Sequence, residues 1–265
     1  MSHESDIASS TGRYHRQMLL PDFGPERQEQ LENATVLVVG CGALGCGVAD
    51  QLARAGVGTI RIVDRDIVEQ TNLQRQVLYC QADADSSRPK AMAAADRLRA
   101  INPTIDIEPV VDDFRASNAE DITAGMSLLI DGLDNFDTRY LLNDIAVKHG
   151  LPYIYAGAVG TGGLVMPILP RSIQQGRSIT WSSEQSTPCL RCIFPEPAPP
   201  GSTPTCDTAG ILGPTIAAVT AQQAAIALSL LIGRIDGIDR SMHSIDPWTG
   251  DDRRMQTGTP RDDCP

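Results

Sequence analysis

The sequence predicts an α/β fold: a Rossmann-like, doubly wound, mostly parallel sheet extended by antiparallel strands in the C-terminal half. Three observations carry this. An apolar run, Val36 to Val39, leads into Gly40-x-Gly42-x-x-Gly45 and then an alanine-rich segment of helical spacing, the pattern of strand, tight turn and helix. A second apolar run, Thr59 to Val63, ends in Asp64, nineteen positions past Gly45 (64 − 45), where such folds hold ribose hydroxyls on a carboxylate. Short apolar runs further on, Ile105 to Val111, Ser127 to Ile130 and Tyr153 to Ala158, are separated by helical patterns, the rhythm of a parallel sheet.

In chain order, Arg13 to Gln30 reads as a helical or extended arm, so the organisation expected is an arm over 1–30 and one domain over 31–265. In the glycine loop, Gly40 permits the sharp turn and Gly42 lets backbone approach a phosphate, while Gly45 lets the helix sit close to the strand. The helix N-terminus offers free N–H groups to an anion. Arg88 to Ile101 is an amphipathic helix with Lys90 in its first turn, where a cation opposes the helix dipole; that placement suggests a phosphate as its partner.

Ser127 to Ile130 stops at Asp131, and a turn through Asp134-Asn135 leads to a helix over Asp137 to Lys148. In an open parallel sheet this turn faces the glycine loop. Either Asp134 or Asn135 could simply cap the helix, a common role for those residues. Val165 to Leu169 and Ser178 to Ser182 are expected to add strands, and Ile211 to Gly233 to form a buried helix: it has the length of a membrane span, but carries Thr215, Thr220, Gln222 and Gln223.

Composition narrows the function. With 265 residues, a net charge of −11 and a pI near 4.7, neither nucleic acid nor an anionic membrane is an expected partner. The polar start, MSHESDIASS, lacks a signal-peptide apolar region, which makes a cytoplasmic location the expectation. Seven cysteines without clustering do not form a disulfide framework; Cys41, Cys46 and Cys80 read as structural. Cys189-x-x-Cys192 has the spacing of half a zinc site, and the prolines on both sides of it favour a loop over a redox motif. Cys206, after the Pro-rich stretch 195–204, is either an inert thiol or a nucleophile.

A bare glycine loop would serve a nicotinamide or flavin dinucleotide equally well, which keeps an NAD-dependent oxidoreductase as the alternative. The residues after Asp64 argue otherwise. Asp66, Asn72, Arg75, Gln76 and Lys90 place amides, a guanidinium and an ammonium beside one nucleotide. A reacting triphosphate needs such groups; hydride transfer does not.

Taken together, Arg13-Tyr14-x-Arg16-Gln17, GCGALG, the DxDxVExxNLxRQ segment, Pro89-Lys90, Asp131-x-x-Asp134-Asn135-x-x-x-Arg139 and the CxxC resemble the MoeB/ThiF/HesA group of the ubiquitin-activating enzyme superfamily, from about Arg13 to about Trp248. The resemblance implies an adenylation domain, its nucleotide half at about 31–150 and its carrier-binding half at about 151–265. It implies ATP-dependent adenylation of the C-terminal glycine of a ubiquitin-like sulfur-carrier protein with a Gly-Gly tail; an enzyme adenylating a tRNA nucleoside shares the nucleotide motifs. ATP would lie on Gly40, Gly42, Gly45, Asp64, Asp66, Asn72, Arg75, Gln76, Lys90, Asp134 and Asn135, with magnesium on Asp134. Arg16 would be contributed to the other subunit of a homodimer, and Cys206 would be the covalent thiol. Zinc would sit on Cys189, Cys192 and Cys264; the fourth ligand, expected two positions beyond Pro265, is not in this chain.

Overall fold

Thr35–Val39 (β1) is the axis of the sheet, with four of its five residues, TVLVV, buried. A strand apolar on both faces belongs in the centre of a parallel sheet covered by helices on either side. The computed structural model, which describes residues 12–171, 178–196 and 206–264, places it there. β1 pairs in parallel with Thr59–Val63 (β2) and Leu128–Asp131 (β4). Asp106–Val110 (β3) lies outside β2, and Tyr153–Val159 (β5) lies outside β4. Gly162–Ile168 (β6), Met242–Asp246 (β7) and Asp251–Met255 (β8) continue the sheet in antiparallel fashion, giving the order β3-β2-β1-β4-β5-β6-β7-β8. The parallel core with an antiparallel extension is the architecture the sequence predicts.

The helices are α1 (12–18), α2 (Gly24–Glu32), α3 (Ala43–Ala55), α4 (Gln81–Asp85), α5 (Lys90–Ile101), α6 (Ala119–Thr123), α7 (Phe136–His149), α8 (Leu190–Ile193), α9 (Cys206–Ala209) and α10 (Gly213–Leu231). Alternate residues of β1 divide between two cores. Val36 and Val38 face α3, α5 and α10, whereas Leu37 and Val39 face α6, α7 and α8. α10 is long and apolar enough to cross a membrane by length and composition alone, yet half of it is buried, against α3, β5 and β6. Gly47 permits that packing, because a Cβ there would stand 2.7 Å from Thr220 Oγ1.

Two details differ from expectation. Residues 178–182 form no strand; Ile179 and Trp181 instead turn into the core, with the indole N–H donating to Pro170 O at 2.9 Å. β5 and β7 occupy both edges of β6, so a strand there could not pair beside it. Cys80 has a partner that the sequence does not show: its exposed thiol donates to the Asp83 carboxylate at 3.1 Å at the start of α4.

Candidate active site

At the carboxyl ends of β1, β2, β4 and β5 lies a cleft of about 1280 Å³. It opens where β1 separates from β4, the switch point at which doubly wound sheets bind ligands. Gly40 adopts φ +84°, and a Cβ on it would come 2.7 Å from Gly132 O, so the glycine loop and the loop after β4 touch through bare backbone. Gly42 lines the cleft as the N-cap of α3, with open space where its Cβ would be. Gly45 does not line the cleft, contrary to its expected place against the nucleotide. It sits beneath the loop, where a Cβ would be 2.0 Å from Gly40 O.

The predicted polar residues meet on one wall. Asp64, Asp66, Asn72, Arg75, Gln76 and Lys90 all line this cleft, as do Asp134 and Asn135 across from them. Asp64 is buried, which raises its carboxyl above the usual range, against the opposing effect of two backbone donors, Cys41 N at 2.6 Å and Asp66 N at 2.8 Å. It therefore braces the glycine loop, in addition to any role toward a ribose. Tyr79 holds the next peptide along, its hydroxyl donating to Cys41 O at 2.7 Å. Lys90, only 7% exposed, pairs with Asp66 at 3.0 Å. Its unfavourable place at a helix N-terminus is thus offset by a carboxylate within the protein.

Arg75 is half-buried, donating to Thr71 O at 2.9 Å. Asn72 Oδ1 and Gln76 Oε1 are buried without a hydrogen-bond partner. Leaving such atoms unmatched costs roughly 1–3 kcal/mol each. An amide that turns over offers its NH₂ to a phosphate at the same place, so both side chains suit a polar ligand in the cleft.

On the opposite wall Asn135 is the helix cap, its Oδ1 accepting from Thr138 N at 2.9 Å. Asp134 is left exposed, held by Asn135 Nδ2 at 3.2 Å. Carboxylates outnumber cations on the lining: Asp64, Asp66, Glu69, Asp112, Asp113, Asp134 and Asp137 against Arg65, Arg75, Lys90 and Arg139. The cleft is therefore acidic on balance, a setting in which a polyanion binds with a divalent cation.

Arg139 and Tyr155, which the sequence reading left without a role, also line the cleft. Burial alone would lower the Arg139 pKa, but the Asp131 charge, together with Tyr155, Tyr153 and the hydrogen bond to Asp131, raises it. Beyond this wall the cleft continues along Gly157 to Val159, Gly162 to Leu164 and Ser244, joining the parallel half of the sheet to the antiparallel half. Arg16 is exposed on α1 and is not part of this chain's cleft. Cys206 begins α9, and its side chain lies outside the described residues.

The thiols of Cys189, Cys192 and Cys264 converge elsewhere, their Sγ atoms all within 4.8 Å of one another. Cys189 Sγ stands 3.7 Å from Cys192 Sγ and 3.4 Å from Cys264 Sγ. Tetrahedral zinc with bonds of about 2.3 Å separates its sulfurs by about 3.8 Å, so the cluster fits three corners of that site. Purified protein is expected to hold about one zinc per chain, and Cys264→Ser to lose most of it, by elemental analysis. Full zinc retention by Cys264→Ser would remove this cysteine from the site.

The ThiF family model matches residues 14–265. The Sulfur carrier protein ThiS adenylyltransferase of Bacillus subtilis (strain 168) is 40% identical over 96% of this chain and 71% of its own length. The Sulfur carrier protein adenylyltransferase of Thermus thermophilus is 42% identical over 83% of this chain and 78% of its own length. Among solved structures, Escherichia coli MccB with succinimide superposes with a TM-score of 0.74 over 95% of this chain and 73% of that one, at 22% identity, a likeness of fold.

Proposed function

The chain belongs to the ThiF family, and from that premise we propose that it is an ATP-dependent adenylyltransferase. Its substrate is the C-terminal glycine carboxylate of a ubiquitin-like sulfur-carrier protein ending in Gly-Gly. The observation that carries this reading is one continuous cleft, holding the glycine loop, Arg75, Lys90 and Asp134 at one end and running into the C-terminal half at the other.

The reaction moves one phosphoryl centre. A carboxylate oxygen of the carrier bonds to the α-phosphorus of ATP, the bond to the bridging oxygen breaks, and pyrophosphate leaves with the electron pair. Positioning and charge neutralisation are the main requirements. Gly40 and Gly42 would bring backbone N–H groups to the nucleotide, and Asp64 would face the ribose. Asn72, Arg75, Gln76 and Lys90 would face the phosphates, with Lys90 released from Asp66 as a phosphate takes its place. Magnesium, held by Asp134, would neutralise the phosphate oxygens, which the acidic lining alone would repel. Gly45 would act indirectly by fixing the loop, and Asn135 by fixing the turn.

The carrier tail would lie along Gly157 to Val159, where glycine walls admit an extended chain. A homodimer would bring the exposed Arg16 of one copy to the other's phosphates. Sulfur transfer onto the acyl adenylate would follow, directly or through Cys206, in the cytoplasm where ATP is supplied. Zinc on Cys189, Cys192 and Cys264 would hold the C-terminal segment against α8.

The test is ATP–pyrophosphate exchange with purified carriers, a ThiS-type protein first because the Bacillus subtilis relative is named for that substrate. Exchange is expected only with a carrier ending in Gly-Gly, and to vanish when its last glycine is removed. Exchange indifferent to every carrier would refute the assigned substrate.

A further inference from the structure

We propose that Arg139 is a positioning residue for the adenylation reaction, setting the Asp134 carboxylate against the wall along which the acyl substrate lies. The proposal rests on the adenylyltransferase reading and concerns a side chain that this reading leaves idle. Arg139 is 6% exposed, and its guanidinium ties one buried carboxylate and two backbone carbonyls together. Nε lies 3.2 Å from Asp131 Oδ2, at the last residue of β4. Nη2 donates to Leu133 O at 2.6 Å and to Ala156 O at 2.9 Å. The first carbonyl immediately precedes Asp134; the second immediately precedes the Gly157 to Val159 wall.

The fork is itself clamped. Phe136 and Tyr155 stand 5.4 and 5.3 Å from the guanidinium carbon. Asp131, fully buried, also accepts from the Tyr153 hydroxyl at 2.5 Å and from Leu133 N at 2.9 Å. Asp134 has far less support, only the Asn135 amide at 3.2 Å. Its place is therefore set by the turn backbone, and that backbone is set by Arg139. A buried ion pair is seldom the most stable filling for a core, and apolar residues of similar volume serve stability as well or better. A planar guanidinium does what they cannot: with Nε on Asp131 and both N–H groups of Nη2 on carbonyls, it fixes the turn after β4 against β5.

The test uses the whole chain with Arg139→Lys, which keeps the charge beside Asp131 but loses the fork. Hydrogen exchange is measured without ligand, so the readout does not depend on catalysis. Amides of 132–135 and 157–159 are expected to exchange about tenfold faster, with the rest of the sheet unchanged. In pyrophosphate exchange, kcat should fall about a hundredfold while the KM for ATP moves less than about threefold, and the magnesium needed for half-maximal rate should rise about fivefold. If Arg139→Lys fails to fold, Asp131→Asn replaces it, with smaller changes of the same sign expected. A folded variant with wild-type exchange in both segments and wild-type kcat would overturn the proposal. So would loss of folding in both variants, which would make Arg139 a residue of stability alone. Faster exchange in the two segments beside a wild-type protein that adenylates nothing would uphold the positioning of the turn and refute the assigned reaction.

Discussion

Asp134→Ala is expected to lower carrier-dependent pyrophosphate exchange by about a thousandfold, the scale of losing one positioned charge-stabilising group. Its melting temperature should stay within about 2 °C of the parent, because truncating an exposed side chain shifts stability by no more than about 0.5 kcal/mol. Asp134 is exposed on the cleft wall, and its one hydrogen bond is to the neighbouring Asn135. Asn135 caps α7 whether or not Asp134 keeps its carboxylate. The size of the effect follows from the lining, where carboxylates outnumber basic groups and a triphosphate needs a cation held in a fixed place. A loss below about tenfold would mean that another of these carboxylates holds the metal.

The second large effect comes from a residue outside the cleft. Gly45→Ala would put a methyl group 2.0 Å from Gly40 O and 2.9 Å from Gly40 C. The obstacle is the backbone of the glycine loop, held by Asp64 at Cys41 N and by Tyr79 at Cys41 O, so no flexible side chain can yield. The variant is expected to be destabilised by about 3 kcal/mol or more in urea denaturation and to bind ATP at least about a hundredfold more weakly by calorimetry. Gly42→Ala is the contrasting case. Its Cβ would meet nothing closer than Gln76 Nε2 at 3.8 Å. Stability should be retained and nucleotide affinity reduced, since the methyl group enters the space the ligand uses. Near-normal ATP affinity in folded Gly45→Ala would mean that the loop does not hold the nucleotide.

The parallel half of the sheet was legible because its rules are local. A wholly apolar β1, a glycine turn and a carboxylate at the end of β2 can be arranged in few ways. Lys90 was legible for an electrostatic reason, a cation at the wrong end of a helix, although the partner found is Asp66 and the expected one was a phosphate. The antiparallel half depends on which edges remain free. Residues 178–182 have strand-like composition, yet Ile179 and Trp181 are both buried in the core without a strand forming. β8, Asp-Asp-Arg-Arg-Met and exposed throughout, carries no alternation to announce a strand and is ordered by its pairing with β7.

Arg139 was visible as part of a motif. Its purpose was not, because Ala156 lies seventeen residues away (156 − 139) on another strand and only the folded chain brings that carbonyl to the guanidinium. The charge balance of the cleft was not legible for a similar reason. Asp112 and Asp113, from the loop after β3, join its lining only in three dimensions.

The most direct measurement is the mass of the carrier protein after incubation with this enzyme, ATP and magnesium. The account predicts a carrier heavier by one adenylyl group on its C-terminal glycine, with pyrophosphate released in equal amount. A carrier of unchanged mass, with ATP intact or hydrolysed to ADP and phosphate, would contradict it.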